Sequence, residues 1–232
     1  MTATVATASL IPWGSKAHLR DVDLRGPAGR LEAVVNSGSP DAHFAALVCH
    51  PHPKGGGSLH NKVVYRAMKV LNAPEFGFAA PVLRFNFRGT GWSEGEHDGR
   101  AESDDVLAAL DWLRNEFSLP LVAVGFSFGA AMVLKAASED RRGVRAIAAL
   151  GLPTHAGERT YRYRFLRELA LPKLFLSGDC DQFAPLAELE QVVLNAPGPK
   201  HLKFVPGADH FFTGRLEAMQ HALAEWLEEY AP

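Results

Sequence analysis

Ser127 sits in "GFSFG" (125–129), a match to G-x-S-x-G. An apolar run of β character, "PLVAVGF" (120–126), precedes it, and an Ala-rich helical run, "GAAMVLKAASED" (129–140), follows. A sharp turn between such elements strains the serine backbone and lifts Oγ above the sheet, while the glycines let neighbouring backbone approach closely. A serine hydroxyl is a weak nucleophile until a base takes its proton, and the base needs a partner that fixes its tautomer. In this arrangement the acid and then the histidine follow the serine along the chain. The chain supplies Asp179 and Asp181 in "LFLSGDCDQFAP" (174–185), and Asp209 and His210 in "FVPGADHFF" (204–212). This order assigns Ser127 as nucleophile, His210 as general base and then acid, and Asp181 as the group that orients His210.

The elements that must hold these residues alternate between strand and helix. The strand candidates are "LRDVDL" and "RLEAVVN", read as an antiparallel hairpin, then 44–50, 80–87, 120–126, 144–151, 173–178 and 201–207. The middle runs are almost continuously apolar, as in a parallel sheet covered on both faces. Helical patterns occupy 61–72, 103–117, 129–140, 185–196 and 214–230. Ser103 with its two following aspartates reads as a helix start, and Pro185 suits a first helical turn. The class is therefore α/β, with a mostly parallel sheet of about eight strands and helices on both faces. The three catalytic candidates fall at the carboxyl ends of strands, where open α/β sheets gather their sites.

Five motifs in order make the chain resemble the α/β-hydrolase superfamily over nearly its whole length. They are "HPHPKGGGSLHNKVV" (50–64), "LRFNFRGTGWSEGEHDGR" (83–100), "GFSFGAAM" (125–132), "SGDCDQFAP" (177–185) and "PGADHFF" (206–212). The chain is similar to small, lidless bacterial serine hydrolases. The resemblance implies an α/β-hydrolase fold without a large cap domain and a serine esterase activity that needs no cofactor. By the G-x-x-D-x-x-x-P pattern it points to Asp181 as the triad acid, with Asp179 as runner-up. An aspartate in place of Ser127 would indicate dehalogenase or epoxide-hydrolase chemistry, and a cysteine dienelactone-hydrolase chemistry. Serine indicates acyl transfer.

One oxyanion-hole donor is expected to be the Phe128 N–H. The second should come from the loop after the third strand. Pro51 and Pro53 have no N–H, leaving His52, with Lys54 as the alternative. Phe126, Phe128, Phe183, Phe211 and Phe212 are candidate apolar walls, with Phe126, Phe183 and Phe211 foremost. The segment 152–172 has room for one helix and no cap; Tyr161, Tyr163 and Phe165 are read on a helix packed against the sheet, the alternative being a small flap or a partner-binding edge.

Other features have simpler readings. His50, His52 and His60 lack the acids or cysteines of a recognisable metal spacing, so no metal is expected. His50 is read as tying loops together. Arg84 and Arg88 are read as structural, and Asp179 and Asp209 as loop hydrogen-bonding groups. Lys54 beside its glycines is not a P-loop.

Bulk properties are ordinary for a soluble globular protein. The 232 residues are 47% hydrophobic and 22% charged, with net charge −2. No basic patch stands out along the chain, which argues against a nucleic-acid partner. No apolar run approaches the roughly 20 residues that span a bilayer. Residues 1–16 read as a loose leader without a basic n-region, and 1–232 as a single domain. Two cysteines without C-x-x-C suit free thiols in a reducing cytoplasm. Acyltransferase, thioesterase, amidase or peptidase activity on the same triad, or a non-catalytic binding fold, stays open from sequence, as does monomer against homodimer.

Overall fold

The structure is a computed structural model, and it describes residues 19–157 and 159–232. The expected leader lies outside the described residues. Ten strands and five α-helices occur among the described residues. The first hairpin is β1 (Leu19–Gly26) and β2 (Gly29–Asn36). The chain then runs β3 (Ala45–Cys49), α1 (Lys62–Asn72), β4 (Val82–Phe85), α2 (Glu102–Phe117), β5 (Leu121–Phe126), α3 (Phe128–Glu139) and β6 (Val144–Leu150). A short hairpin of β7 (His155–Ala156) and β8 (Arg159–Thr160) leads to β9 (Lys173–Gly178), α4 (Leu186–Leu194), β10 (Lys200–Val205) and α5 (Leu216–Tyr230).

Eight strands form one sheet in the order β1-β2-β4-β3-β5-β6-β9-β10. β1 and β2 pair antiparallel, β2 meets β4 antiparallel, and every other pairing is parallel. After β3 the chain goes to one side to form β4, then crosses to the other side to form β5. The strand order therefore reverses beside β3, and the crevice this creates is where ligands bind in such sheets.

Both faces of the sheet are covered. Leu47, Phe85, Ala123 and Ile147 pack toward α2 and α3 in one core cluster. Their neighbours Val48, Val122, Val124 and Ala146 pack toward α1 and α5 in the other, with Trp226 among them. Alternate residues of one strand thus enter opposite cores, which explains the unbroken apolar runs.

Two local expectations need correction. Ser103 does not start α2. The helix begins at Glu102, and Asp98 Oδ1 accepts the N–H groups of Arg100 and Ala101 just before it, at 2.6 and 2.8 Å. The segment 152–172 holds no α-helix. It forms the β7–β8 hairpin and a 3₁₀ turn at Arg164–Glu168. Gly157, at φ 57°, turns the hairpin, and the buried Tyr163 hydroxyl donates to the Pro153 carbonyl at 2.5 Å. These local anchors outcompete the helical pattern.

Candidate active site

Ser127 occupies the turn between β5 and α3 with φ 56° and ψ −119°. A non-glycine residue in this region carries strain of about 1–3 kcal/mol, which persists where the surroundings enforce it. Here the enforcement is visible. Ser127 N–H donates to the Leu150 carbonyl at 2.8 Å, and its own carbonyl accepts Ala130 N–H at 2.9 Å. A Cβ on Gly125 would lie 2.4 Å from the Gly129 carbonyl oxygen, and one on Gly129 would lie 2.5 Å from that of His50. Only glycines allow β3, β5 and α3 to close on one another at this turn.

Ser127 Oγ lies 2.9 Å from His210 Nε2. His210 Nδ1 faces Asp181, at 3.0 Å from Oδ1 and 2.9 Å from Oδ2. This network assigns the proton to Nδ1 and leaves Nε2 to accept the serine hydroxyl. Asp181 and His210 are both buried. Buried polar atoms need partners, and the carboxylate has them: Ser177 Oγ donates to Oδ2 at 2.9 Å, and Phe183 N–H donates to Oδ1 at 2.8 Å. Ser177 was not identified from sequence; a serine ending an apolar strand gives no signal until the register of β9 turns it toward the loop.

The imidazole of His210 is held by rings. Phe126, Phe183 and Phe211 lie at 5.2, 4.7 and 5.2 Å between centroids. Gly151, at φ 52°, clears space: a Cβ there would approach His210 at 3.2 Å.

The rival acids serve elsewhere. Asp179 Oδ1 accepts Gly207 N–H at 2.7 Å, tying the β9 loop to the β10 loop. Asp209 Oδ1 accepts Phe211 and Thr213 N–H groups at 3.0 and 2.9 Å. Neither carries a bond to His210. His50 also acts within the frame: Nδ1 meets the Pro51 carbonyl at 2.6 Å, and Nε2 accepts Phe87 N–H at 3.0 Å. Burial lowers its pKa to about 4, so the ring is neutral. With both nitrogens engaged it is no metal ligand. Arg84 donates to the Leu59 carbonyl and to Asn36, and Arg88 grips buried Asp105 in a bidentate ion pair.

The loop after β3 lies against the turn of Ser127, with the His52 ring 5.1 Å from Phe128. Lys54 N–H donates to His52 Nδ1 at 3.2 Å. That bond disfavours Lys54 as a donor toward an oxyanion. His97, half-buried with its Nδ1 2.6 Å from the Glu102 carboxylate, packs against the His52 ring at 4.7 Å. This second His–acid pair was also missed; the two residues gain meaning only once the 83–100 loop folds over the site.

A cavity of about 340 Å³ opens in front of Ser127 and His210. Phe183, Phe211, Pro153 and Tyr161 are among its walls, with His52 and Lys54 at the β3 loop. Phe126 is corrected from pocket wall to support: it is 1% exposed and lies behind His210. Phe128 and Phe212 are likewise buried. Tyr161 lines the cavity from the hairpin segment, not from the helix expected there.

Sequence comparison settles the family. Residues 61–231 match the α/β hydrolase domain family. The chain belongs to this family. An uncharacterized protein from Rickettsia prowazekii is 36% identical over 87% of this chain and 86% of its own. Among solved structures, a serine hydrolase without lid from Xanthomonas campestris superposes with TM-score 0.79 at 30% identity, covering 92% of this chain and 96% of its own. A serine hydrolase homologue from Coxiella burnetii reaches TM-score 0.78 at 31% identity, with 89% and 96% covered. The α/β-hydrolase fold here has no large cap, in keeping with the lidless relative.

Proposed function

We propose that this α/β hydrolase cleaves small carboxylic esters, short acyl chains foremost, through an acyl-enzyme on Ser127. The observation that carries the reading is the continuous hydrogen-bonded chain from Asp181 through His210 to Ser127 Oγ, ending on a strained turn. Ser127 Oγ attacks the ester carbonyl carbon while His210 Nε2 takes its proton. The tetrahedral oxyanion is held by the N–H groups of Phe128 and His52; one such donor typically contributes about 2.7–4 kcal/mol to the transition state. His210 then protonates the departing alcohol, and the carbon–oxygen bond to it breaks. Water, deprotonated by His210, attacks the acyl-enzyme and releases the acid and Ser127. Asp181 keeps the ring in its Nδ1–H tautomer and stabilises the imidazolium. No cofactor takes part.

The uncapped, mostly apolar cavity between Phe183 and Phe211 supports short acyl groups over long lipid chains. Two unbridged thiols, Cys49 and Cys180, suit a reducing cytoplasm.

Rates on p-nitrophenyl esters from acetate to decanoate, for wild type and Ser127→Ala, test the reading. Activity peaking at short chains and falling by several orders of magnitude in the variant supports it. An active Ser127→Ala protein removes Ser127 as nucleophile. A wild type inert to every ester shifts the assignment to an amide substrate, another acyl acceptor or a binding role.

A further inference from the structure

A second cavity, of about 590 Å³, adjoins the first, and Tyr161 lines both. The β7–β8 hairpin stands at the junction: Ala156 borders the cavity of Ser127, and Arg159, its register partner, borders the second. Arg100, Lys135, Arg159 and Arg162 all line this second cavity, against a single carboxylate, Asp98. That carboxylate is turned to backbone, accepting the Arg100 and Ala101 N–H groups. Lys135 is neutralised by Glu139 at 3.0 Å.

The arginines are different. Arg159 is fixed by a 2.6 Å bond to the Gly99 carbonyl and lies 4.6 Å over the Tyr161 ring. Among the described residues, the Arg100 and Arg162 side chains have no hydrogen-bonding or ionic partner. Three guanidinium groups thus share one concavity in a protein of net charge −2. The sequence shows no basic patch because Arg100 is distant from the other two in the chain. The positive charge also reaches the catalytic cavity: after burial and His97, Arg159 is the next cause that lowers the His52 pKa.

We propose that this arginine-lined cavity is an anion subsite that receives a carboxylate or phosphate group carried by the ester substrate, making the enzyme selective for anionic esters. Guanidinium forks match planar carboxylates and phosphates in geometry, and partial enclosure strengthens such charge-assisted bonds. Tyr161, held under Arg159, forms the partition across which the substrate's anionic arm extends from the carbonyl at Ser127. This inference rests on the esterase reading for its substrate, though the anion site itself is measurable without turnover.

Two measurements separate the two ideas. The first compares p-nitrophenyl monoesters of dicarboxylic acids, glutarate to suberate, with neutral acyl esters of equal length, as a ratio of kcat/KM within each protein. Wild type is expected to favour the anionic series. Arg162→Glu and the double variant Arg100→Gln/Arg162→Gln should lower that ratio by about tenfold or more, and Arg162→Lys, which keeps the charge but loses the fork, should lower it less than Arg162→Glu does. Because each protein is its own reference, a general loss of activity cancels. The second titrates glutarate and inorganic phosphate into Ser127→Ala by calorimetry, with and without Arg162→Glu. Saturable binding that the charge reversal abolishes supports the subsite, even if no ester is ever cleaved, in which case the esterase reading alone falls. Hydrolysis of neutral esters with no anionic preference, and no saturable binding of either anion, overturns the subsite and leaves the esterase reading standing. A preference or binding that both sets of arginine substitutions leave unchanged overturns the assignment to these residues.

Discussion

Asp181 presents both carboxylate oxygens to the same nitrogen of His210, Nδ1, at 3.0 and 2.9 Å, while Asp179, two residues earlier, faces Gly207. The loop after β9 thus separates two acids, one residue between them, into an orienting group and a loop fastener. Asp181→Asn should lower kcat by about 10⁴, because an amide no longer enforces the Nδ1–H tautomer. Asp179→Asn should change kcat by less than about tenfold and act instead on loop stability. Steady-state kinetics on one ester decide it; equal losses would mean that the two acids have been assigned wrongly.

Ser177→Ala removes the hydroxyl that donates to Asp181 Oδ2. The carboxylate then keeps only Phe183 N–H and His210, and one freed oxygen lets it rotate. An approximately tenfold fall in kcat with little change in KM is expected, the size of one lost hydrogen bond to a charged group. Ser177→Thr, which restores the donor, should recover part of it.

At Gly129 a Cβ would meet backbone, with the His50 and Cys49 carbonyl oxygens at 2.5 and 2.6 Å. Backbone cannot swing aside as a flexible side chain does. Gly129→Ala should therefore destabilise the protein by about 1–3 kcal/mol in urea unfolding and depress kcat, since β3 and its loop must shift away from Ser127. Stability within 0.5 kcal/mol of wild type, about the scatter of a surface substitution, would contradict the close approach.

His50 makes stability depend on pH. Its folded pKa is about 4 against an ordinary 6.5. Between these values the unfolded chain binds the proton and the native protein does not. The stabilisation is whole above pH 6.5, declines as pH falls and is gone below about 4, a total of about 3 kcal/mol. Urea unfolding of wild type and His50→Gln from pH 7.5 to 4 should show the difference between them shrinking as pH drops. A constant difference would mean that the ring is not buried neutral.

Phe211 is half in solvent and half in the cavity wall, 38% exposed. Phe211→Ala should widen the acyl site and move the chain-length optimum toward longer esters, with kcat/KM for the shortest ester falling less than about tenfold. An unchanged chain-length profile would remove Phe211 from the acyl wall.

Some of this protein is determined by local sequence. Strand β9 spans the residues that its apolar run marks, Lys173–Gly178, and the other sheet strands fall within a few residues of their runs. Parallel strands buried on both faces leave a one-dimensional trace, because most side chains on either face are apolar. The turn at Ser127 is equally local, being built from glycines next to one serine. Other features exist only once distant segments meet. Ser177 gains its role from Asp181, His97 from Glu102 and His52, and Phe126 moves from wall to support because His210 arrives from the far end of the chain. The 152–172 segment follows the same rule: its periodicity suits a helix, yet the Pro153 carbonyl and Tyr163 hydroxyl, with the turn at Gly157, hold it as a hairpin. Pattern reports what an element buries; only the packed chain decides which polar atoms come within bonding distance, since hydrogen bonds act over about 3 Å and carry no sequence period.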